Sequence, residues 1–183
     1  ELAAAARTAL ANTDNKSFDE AIATAVGTSS GAGKAVLVEL LSDRMAPKAA
    51  ATALAALSDS DATVRTAALR SLTKLGGPAE TPAVVAALKN TTDDAERSEA
   101  ANALNAIAAI HKDAVLPAVL EGLNGAGTPA RLALLRNLGV ISSAQALEPV
   151  LAAMRDKEAE VSGGAVRVLA EWKSADAAPH LLK

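Results

Sequence analysis

Four groups of residues have the types and spacing to do chemistry. Gly27-Thr28-Ser29-Ser30-Gly31-Ala32-Gly33-Lys34 is close to a phosphate-cradling loop, Ser71-Leu72-Thr73-Lys74 has the Ser-x-x-Lys form of a lysine-activated nucleophile, Asp59/Asp61 and Asp93/Asp94 are paired carboxylates, and His111 and His180 are the two histidines. Each fails a requirement of that chemistry. The phosphate loop needs Gly-x-x-x-x-Gly-Lys followed by a hydroxyl, whereas here Gly27 is one residue too distant, Ala35 supplies no magnesium ligand, and no strand precedes the loop. Ser71 and Lys74 have no accompanying Ser-Asp-Asn or Lys-Thr-Gly. The histidines are far apart and neither has a second ligand at helical spacing, so no metal site is expected. His111 beside Lys112 reads as a helix-end charge that offsets the dipole. The aspartate pairs recur at the same junction of successive segments, which identifies them as helix caps.

The elements that carry these residues are repeated. Val64-Arg65-Thr66-Ala67-Ala68-Leu69-Arg70-Ser71-Leu72 returns as Glu96-Arg97 through Leu104, Ala130-Arg131 through Leu138 and Val161-Ser162 through Leu169; upstream, Ala32 through Leu40 and Leu2 through Leu10 fit the same frame. The closing leucines are 30 to 34 residues apart. A second series interleaves with the first: Ala53 to Leu57, Val84 to Leu88, Val119 to Leu123 and Val150 to Met154, with last residues 31, 35 and 31 apart. Two interleaved series of matching period describe a unit of two helices. In the first series Val64, Ala68, Leu72 and Leu75 fall on one helical face. Asp61, Asp94, Thr81 and Thr128 are predicted N-caps, the two threonines being followed by prolines in the first turn. Gly76-Gly77-Pro78 and Gly125-Ala126-Gly127 separate helices, and no strand pattern appears.

Composition agrees. Half of the 183 residues are apolar, 47 are alanine, and Phe18 and Trp172 are the only aromatics. Alanine is the best helix former and lets backbones approach closely. The net charge is −3 and the pI about 5.4. With almost no aromatic stacking platforms, this argues against nucleic-acid binding. No run is long and apolar enough to span a bilayer and no signal peptide is evident. The absence of cysteine excludes disulfides, thiolate metal sites and a cysteine nucleophile, and suits the cytoplasm or a bacterial cell envelope alike.

The pattern Val64-Arg65, Ala68, Leu72 and Leu75-Gly76, followed by Val84 to Leu88, resembles the HEAT repeat, more narrowly the short repeats of phycobilisome-lyase-like proteins. The resemblance covers nearly all the chain and is weakest before about residue 30. Departures are Glu96 in an apolar slot, Ala130 in the same slot, and Gly163-Gly164 where a helix former is expected. It implies an all-α, right-handed α-α superhelix, a solenoid of about five to six helix pairs, with the second-type segments on the convex side and the Val-Arg segments on the concave side. The expected organisation is one array over 1–183: an atypical unit 1–30, repeats 31–61, 62–94, 95–128 and 129–159, and a truncated unit 160–183. The chain starts without methionine and stops partway through an outer helix, so it is expected to be a fragment of a larger bacterial protein.

Two arginine series remain. Arg65, Arg97 and Arg131 occupy the second slot of successive units and are expected to form a structural ladder, each holding a turn carboxylate or carbonyl of its own or the adjacent unit. The seventh slot, predicted off the buried stripe, reads Thr8, Val38, Arg70, Asn102, Arg136 and Arg167. The resemblance implies that Arg70, Asn102, Arg136 and Arg167 stack along the concave face, flanked by Lys74 and Glu99, where they suit an acidic peptide, a carboxylate or a hydroxyl-rich sugar. Leu132 and Val140 are expected to add an apolar patch beside them. Gly163-Gly164 predicts a late helix start or a close backbone approach by a ligand or partner, and Trp172 is expected in the core at a twelfth slot. The functional expectation is a non-catalytic protein-interaction scaffold or spacer without cofactors, binding a protein or peptide. The alternative is an accessory repeat region of an enzyme, either a lyase-type subunit or a carbohydrate-active or redox protein with a separate catalytic domain.

Overall fold

The computed structural model describes residues 16–174 and Ala177. Among these residues the chain is all-α, with ten α-helices and no strand. They divide into two compact units, residues 1–76 and 77–183. The N-terminal segment Leu2 through Leu10, Thr8, and the stretch around His180 lie outside the described residues.

The first unit contains α1 (Lys16–Thr28), α2 (Gly31–Asp43), α3 (Ala49–Ala56) and α4 (Ala62–Leu75). Helix α2 packs on α1, α3 and α4, and α3 packs on α4. Between the two Val-Arg-type helices the ion pairs Arg70–Glu39 and Lys74–Asp43 are both offset by 31 residues. That offset corrects the frame of the first repeat by one residue. Leu41, not Leu40, is the counterpart of Leu72, and Val38 matches the buried Leu69. Val38 is 1% exposed, so it is core and not a seventh-slot surface residue; the outward position there belongs to Glu39. Adjacent Leu40 and Leu41 are both buried, which is why apolar pattern alone set the frame wrongly. Phe18 lies with Arg44, whose guanidinium stacks 5.3 Å from the ring centroid and bonds Asp19 at 2.5 Å.

The second unit contains α5 (Thr81–Asn90), α6 (Asp94–His111), a 3-10 turn (Lys112–Ala114), α7 (Leu116–Leu123), α8 (Thr128–Ile141), α9 (Ala144–Ala153) and α10 (Ala159–Ala170). The Val-Arg-type helices α6, α8 and α10 pack in series, α5 packs on α6 and α7, and α9 packs on α8 and α10. Ala53, Ala68, Ala100, Ala103, Ala108, Ala146 and Ala165 are wholly buried. Alanines are therefore contact residues between helices in both units.

Glycine does the same at three positions within the second unit. A Cβ on Gly122 of α7 would stand 2.5 Å from Val85 of α5, one on Gly139 of α8 2.9 Å from Val168 of α10, and one on Gly164 of α10 2.4 Å from Leu132 of α8. A late start of α10 is therefore the wrong expectation. The helix begins at Ala159 and runs through Gly163-Gly164, and the backbone that approaches closely is met by the protein's own Leu132.

Capping follows the aspartates with one correction. Asp61 accepts the Thr63 amide at 2.8 Å, while Asp93, not Asp94, caps α6 by accepting the Glu96 amide at 2.8 Å. Asp94 turns out to Arg97. Helices α5 and α8 begin at Thr81 and Thr128 themselves, so the threonines stand one residue inside the helix; Thr81 Oγ1 donates to the Gly77 carbonyl at 2.9 Å. Trp172 falls beyond the end of α10 at Ala170 and is half-buried, with its Nε1 shielded and without a hydrogen-bond partner among the described residues. No single helix among the described residues is long and apolar enough to cross a membrane.

Candidate functional site

The residues whose types and spacing suit chemistry are dispersed into structural roles. Ser29-Ser30 is a two-residue connection between α1 and α2, and Lys34 bonds Asp59 at 2.7 Å. Ser71 is buried with its hydroxyl directed to the Val38 carbonyl at 3.4 Å, and Lys74 bonds Asp43 at 2.5 Å. Asp59 Oδ1 accepts the Asp61 amide at 2.9 Å. His111 lies in the last turn of α6. Among the described residues no three potential metal ligands converge.

The second-slot cations reach turns. Arg65 donates to the Asp59 and Ser60 carbonyls, each at 3.0 Å, in its own turn. Arg97 donates to the Thr91 carbonyl at 3.1 Å and pairs with Asp94, again in its own turn. Arg131 instead reaches forward to Asp156, in the turn before α10. The corrected frame places Lys34 in the same slot, and it too reaches forward, to Asp59. Both forward pairs span 25 residues, and both acceptors also take a backbone amide two residues on, Asp61 N–H at 2.9 Å and Glu158 N–H at 3.0 Å. Lys34 and the Asp61 amide hold the Asp59 carboxyl below its ordinary range. The Glu158 amide lowers Asp156 most, desolvation opposes it, and Arg131 adds to the lowering.

The seventh-slot residues stand in different settings. Arg70, in the first unit, is exposed and 3.7 Å from Glu39. Asn102, Arg136 and Arg167, in the second unit, are exposed on α6, α8 and α10, which pack side by side. On α8, Leu132 and Gly139 bracket Arg136; on α10, their contacts Gly164 and Val168 bracket Arg167. The two arginines thus lie on helices that touch one another at Leu132–Gly164 and Gly139–Val168. Neither makes a hydrogen bond or ion pair with a described residue. The Arg167 guanidinium lies back along its helix, 3.9 Å from where Cβ atoms on Gly163 and Gly164 would stand. Beneath the row, buried Asn137 donates to Asn105 Oδ1 at 3.1 Å and ties α8 to α6. Leu132 and Val140 of α8 are half-exposed, and Val166 of α10 is 48% exposed. The face therefore offers two unneutralised planar cations, an amide and a modest apolar margin. Such guanidiniums suit bidentate binding of carboxylates.

Sequence reasoning placed Lys34 only in the phosphate-loop-like stretch and did not single out Glu39. The signal that finds them is charge: Glu39/Arg70 and Asp43/Lys74 share one offset, which no apolar pattern would reveal.

Comparison with known families returned the HEAT repeats, whose family model matches residues 7–105. No curated protein matches the chain.

Proposed function

The chain belongs to the HEAT repeat family, and from that premise we propose that it is a non-catalytic interaction scaffold whose second unit captures an acidic peptide segment. HEAT repeats generally serve as protein-interaction scaffolds. The observation that carries the finer reading is the state of the arginines. Arg44, Arg65, Arg70, Arg97 and Arg131 each face a carboxylate or carbonyl of the chain, whereas Arg136 and Arg167 face none among the described residues and lie on adjoining helices. Arg155 shares that condition but sits alone in the turn after α9. Two guanidiniums without counter-charge on adjoining helices leave their donors to be met by a bound carboxylate. Asn102 adds a donor and acceptor at the far end of the row, and Leu132, Val140 and Val166 accommodate the apolar parts of a peptide.

The test is fluorescence anisotropy of a labelled Asp/Glu-rich peptide with the intact 183-residue chain. Binding that weakens on joint reversal Arg136→Glu and Arg167→Glu supports the reading. Binding unchanged by that reversal overturns it.

A further inference from the structure

We propose that the turn joining α7 to α8 is a site of self-modification, in which Asn124 deamidates through attack by the Gly125 amide with Lys89 as the promoting group. Asn124 is the one asparagine of the sequence followed by glycine, so no Cβ obstructs the nucleophilic nitrogen. Both residues are exposed. Among the described residues the Asn124 side-chain amide makes no hydrogen bond and the Gly125 N–H donates to no backbone carbonyl, so neither reacting group is itself engaged. Asn124 at φ −67°, ψ 120° and Gly125 at φ +67° form a turn closed by the Ala126 amide on the Leu123 carbonyl at 3.4 Å. Ring closure requires rotation about the Asn124 Cα–C bond, which swings the carbonyl and the Gly125 N–H together; the long turn-closing bond of 3.4 Å yields readily, and the flexible Lys89 side chain follows the oxygen.

Lys89 Nζ donates to the Asn124 main-chain carbonyl oxygen at 2.7 Å. That oxygen belongs to the same peptide unit as the attacking nitrogen. When the Gly125 N–H loses its proton to solvent base, the negative charge is shared with this oxygen, where the ammonium stabilises it. The nitrogen then bonds to the Asn124 side-chain carbon Cγ, closing a five-membered succinimide, and the Cγ–NH2 bond breaks with ammonia leaving on a proton from water. Water next opens the ring: cleavage of the nitrogen–Cγ bond gives aspartate, and cleavage of the bond to the main-chain carbonyl carbon gives isoaspartate. The sum is amide plus water to carboxylate plus ammonium, with no change of oxidation state. Other asparagines of the second unit lack these conditions. Asn102, Asn105 and Asn137 lie inside helices, and the Thr91 amide after Asn90 is bonded to the Ala87 carbonyl at 3.1 Å.

The experiment is incubation of the intact chain at mildly alkaline pH, followed by peptide mapping with mass spectrometry and an isoaspartate assay. Expected is conversion at Asn124 ahead of every other asparagine, with both product isomers. Lys89→Gln should slow it about tenfold, the rate effect of losing one charge-assisted hydrogen bond to the reacting amide. Lys89→Arg should restore most of the rate. An intact Asn124 under conditions where another asparagine has converted overturns the site, and an unchanged rate in Lys89→Gln overturns the role of Lys89.

Discussion

Lys34 of α2 donates to Asp59 in the turn before α4 at 2.7 Å, across 25 residues. The same offset joins Arg131 to Asp156 in the second unit. In each case a cation near the start of one Val-Arg-type helix fixes the turn that starts the next one, and the carboxylate's other duty is a backbone amide of that turn. The device recurs with different cations because either can supply charge to one oxygen, although only the guanidinium offers a fork.

Removing the cation should change the acid response of the first unit. Asp59 is held below its ordinary pKa, chiefly by Lys34. A depressed carboxylate contributes stability that is fully present above its unfolded value, about 3.9, and is lost as pH falls through the lower folded value. Lys34→Gln is therefore expected to move the Asp59 titration upward and to lose a small amount of stability above the unfolded value, small because the pair is near the surface, a loss that shrinks as pH falls through the folded value. Titration of the Asp59 carboxyl by NMR checks this; an unmoved Asp59 would refute it.

Arg97 lends itself to a thermal measurement. Its Asp94 partner is 95% exposed, so that ion pair contributes little, and the bond to the Thr91 carbonyl is the part that matters. Arg97→Ala should cost about 1 kcal/mol, which for a chain of this size lowers the melting temperature by about 2–4 °C. An unchanged melting temperature would show that the arginine does not brace its turn.

The repeat architecture was legible because a buried face must recur once per helix and leucine marks it at every return. What apolar periodicity could not resolve was a single-residue slip. Leu40 and Leu41 both satisfy the pattern, and only the pairing of Glu39 with Arg70 and Asp43 with Lys74 decides between them. That slip hid Glu39 and the slot that Lys34 fills. Gly163-Gly164 misled for another reason. Helix propensity is a local quantity of about 1 kcal/mol per glycine, and at Gly164 it is overridden by contact with Leu132, a residue more than thirty positions away. The exposed row was legible as residues, but which of its arginines keep a free charge depended on side chains of neighbouring helices.

Gly122 tests that override directly. In isolation, Gly→Ala in a helix stabilises by about 1 kcal/mol, but here the new methyl would stand 2.5 Å from Val85, a β-branched side chain with little rotameric freedom. Overpacking of about 1–3 kcal/mol should win, and Gly122→Ala should lower stability. Combining it with Val85→Ala should cost less than the sum of the two single changes, a coupling of about 1 kcal/mol in a double-mutant cycle. Simple additivity would mean the helices separate freely at this point.

Lys112 gives a prediction of the opposite sign. It follows α6 at φ 45°, ψ −119°, a conformation that glycine adopts freely and lysine does not. Strain of this kind costs about 1–3 kcal/mol, against which glycine adds about 0.4–1 kcal/mol of unfolded-state entropy. Lys112→Gly should therefore raise the denaturation midpoint without changing the slope with denaturant. A fall in the midpoint would mean that the lysine side chain contributes more than its backbone costs.

The proposed peptide face carries a contrast that distinguishes it from general attraction to positive charge. Arg136 and Arg167 lie in the second unit without counter-charge among the described residues, whereas Arg70 lies in the first beside Glu39. Replacing Arg136 or Arg167 by glutamine should each weaken an acidic peptide by about 1 kcal/mol or more, the scale of a charge-assisted hydrogen bond, and should flatten the dependence of binding on salt. Arg70→Gln should change affinity by much less, since it frees Glu39 in the other unit and leaves the pair on α8 and α10 intact. Equal losses from all three replacements would indicate a diffuse electrostatic surface in place of a site built on two helices.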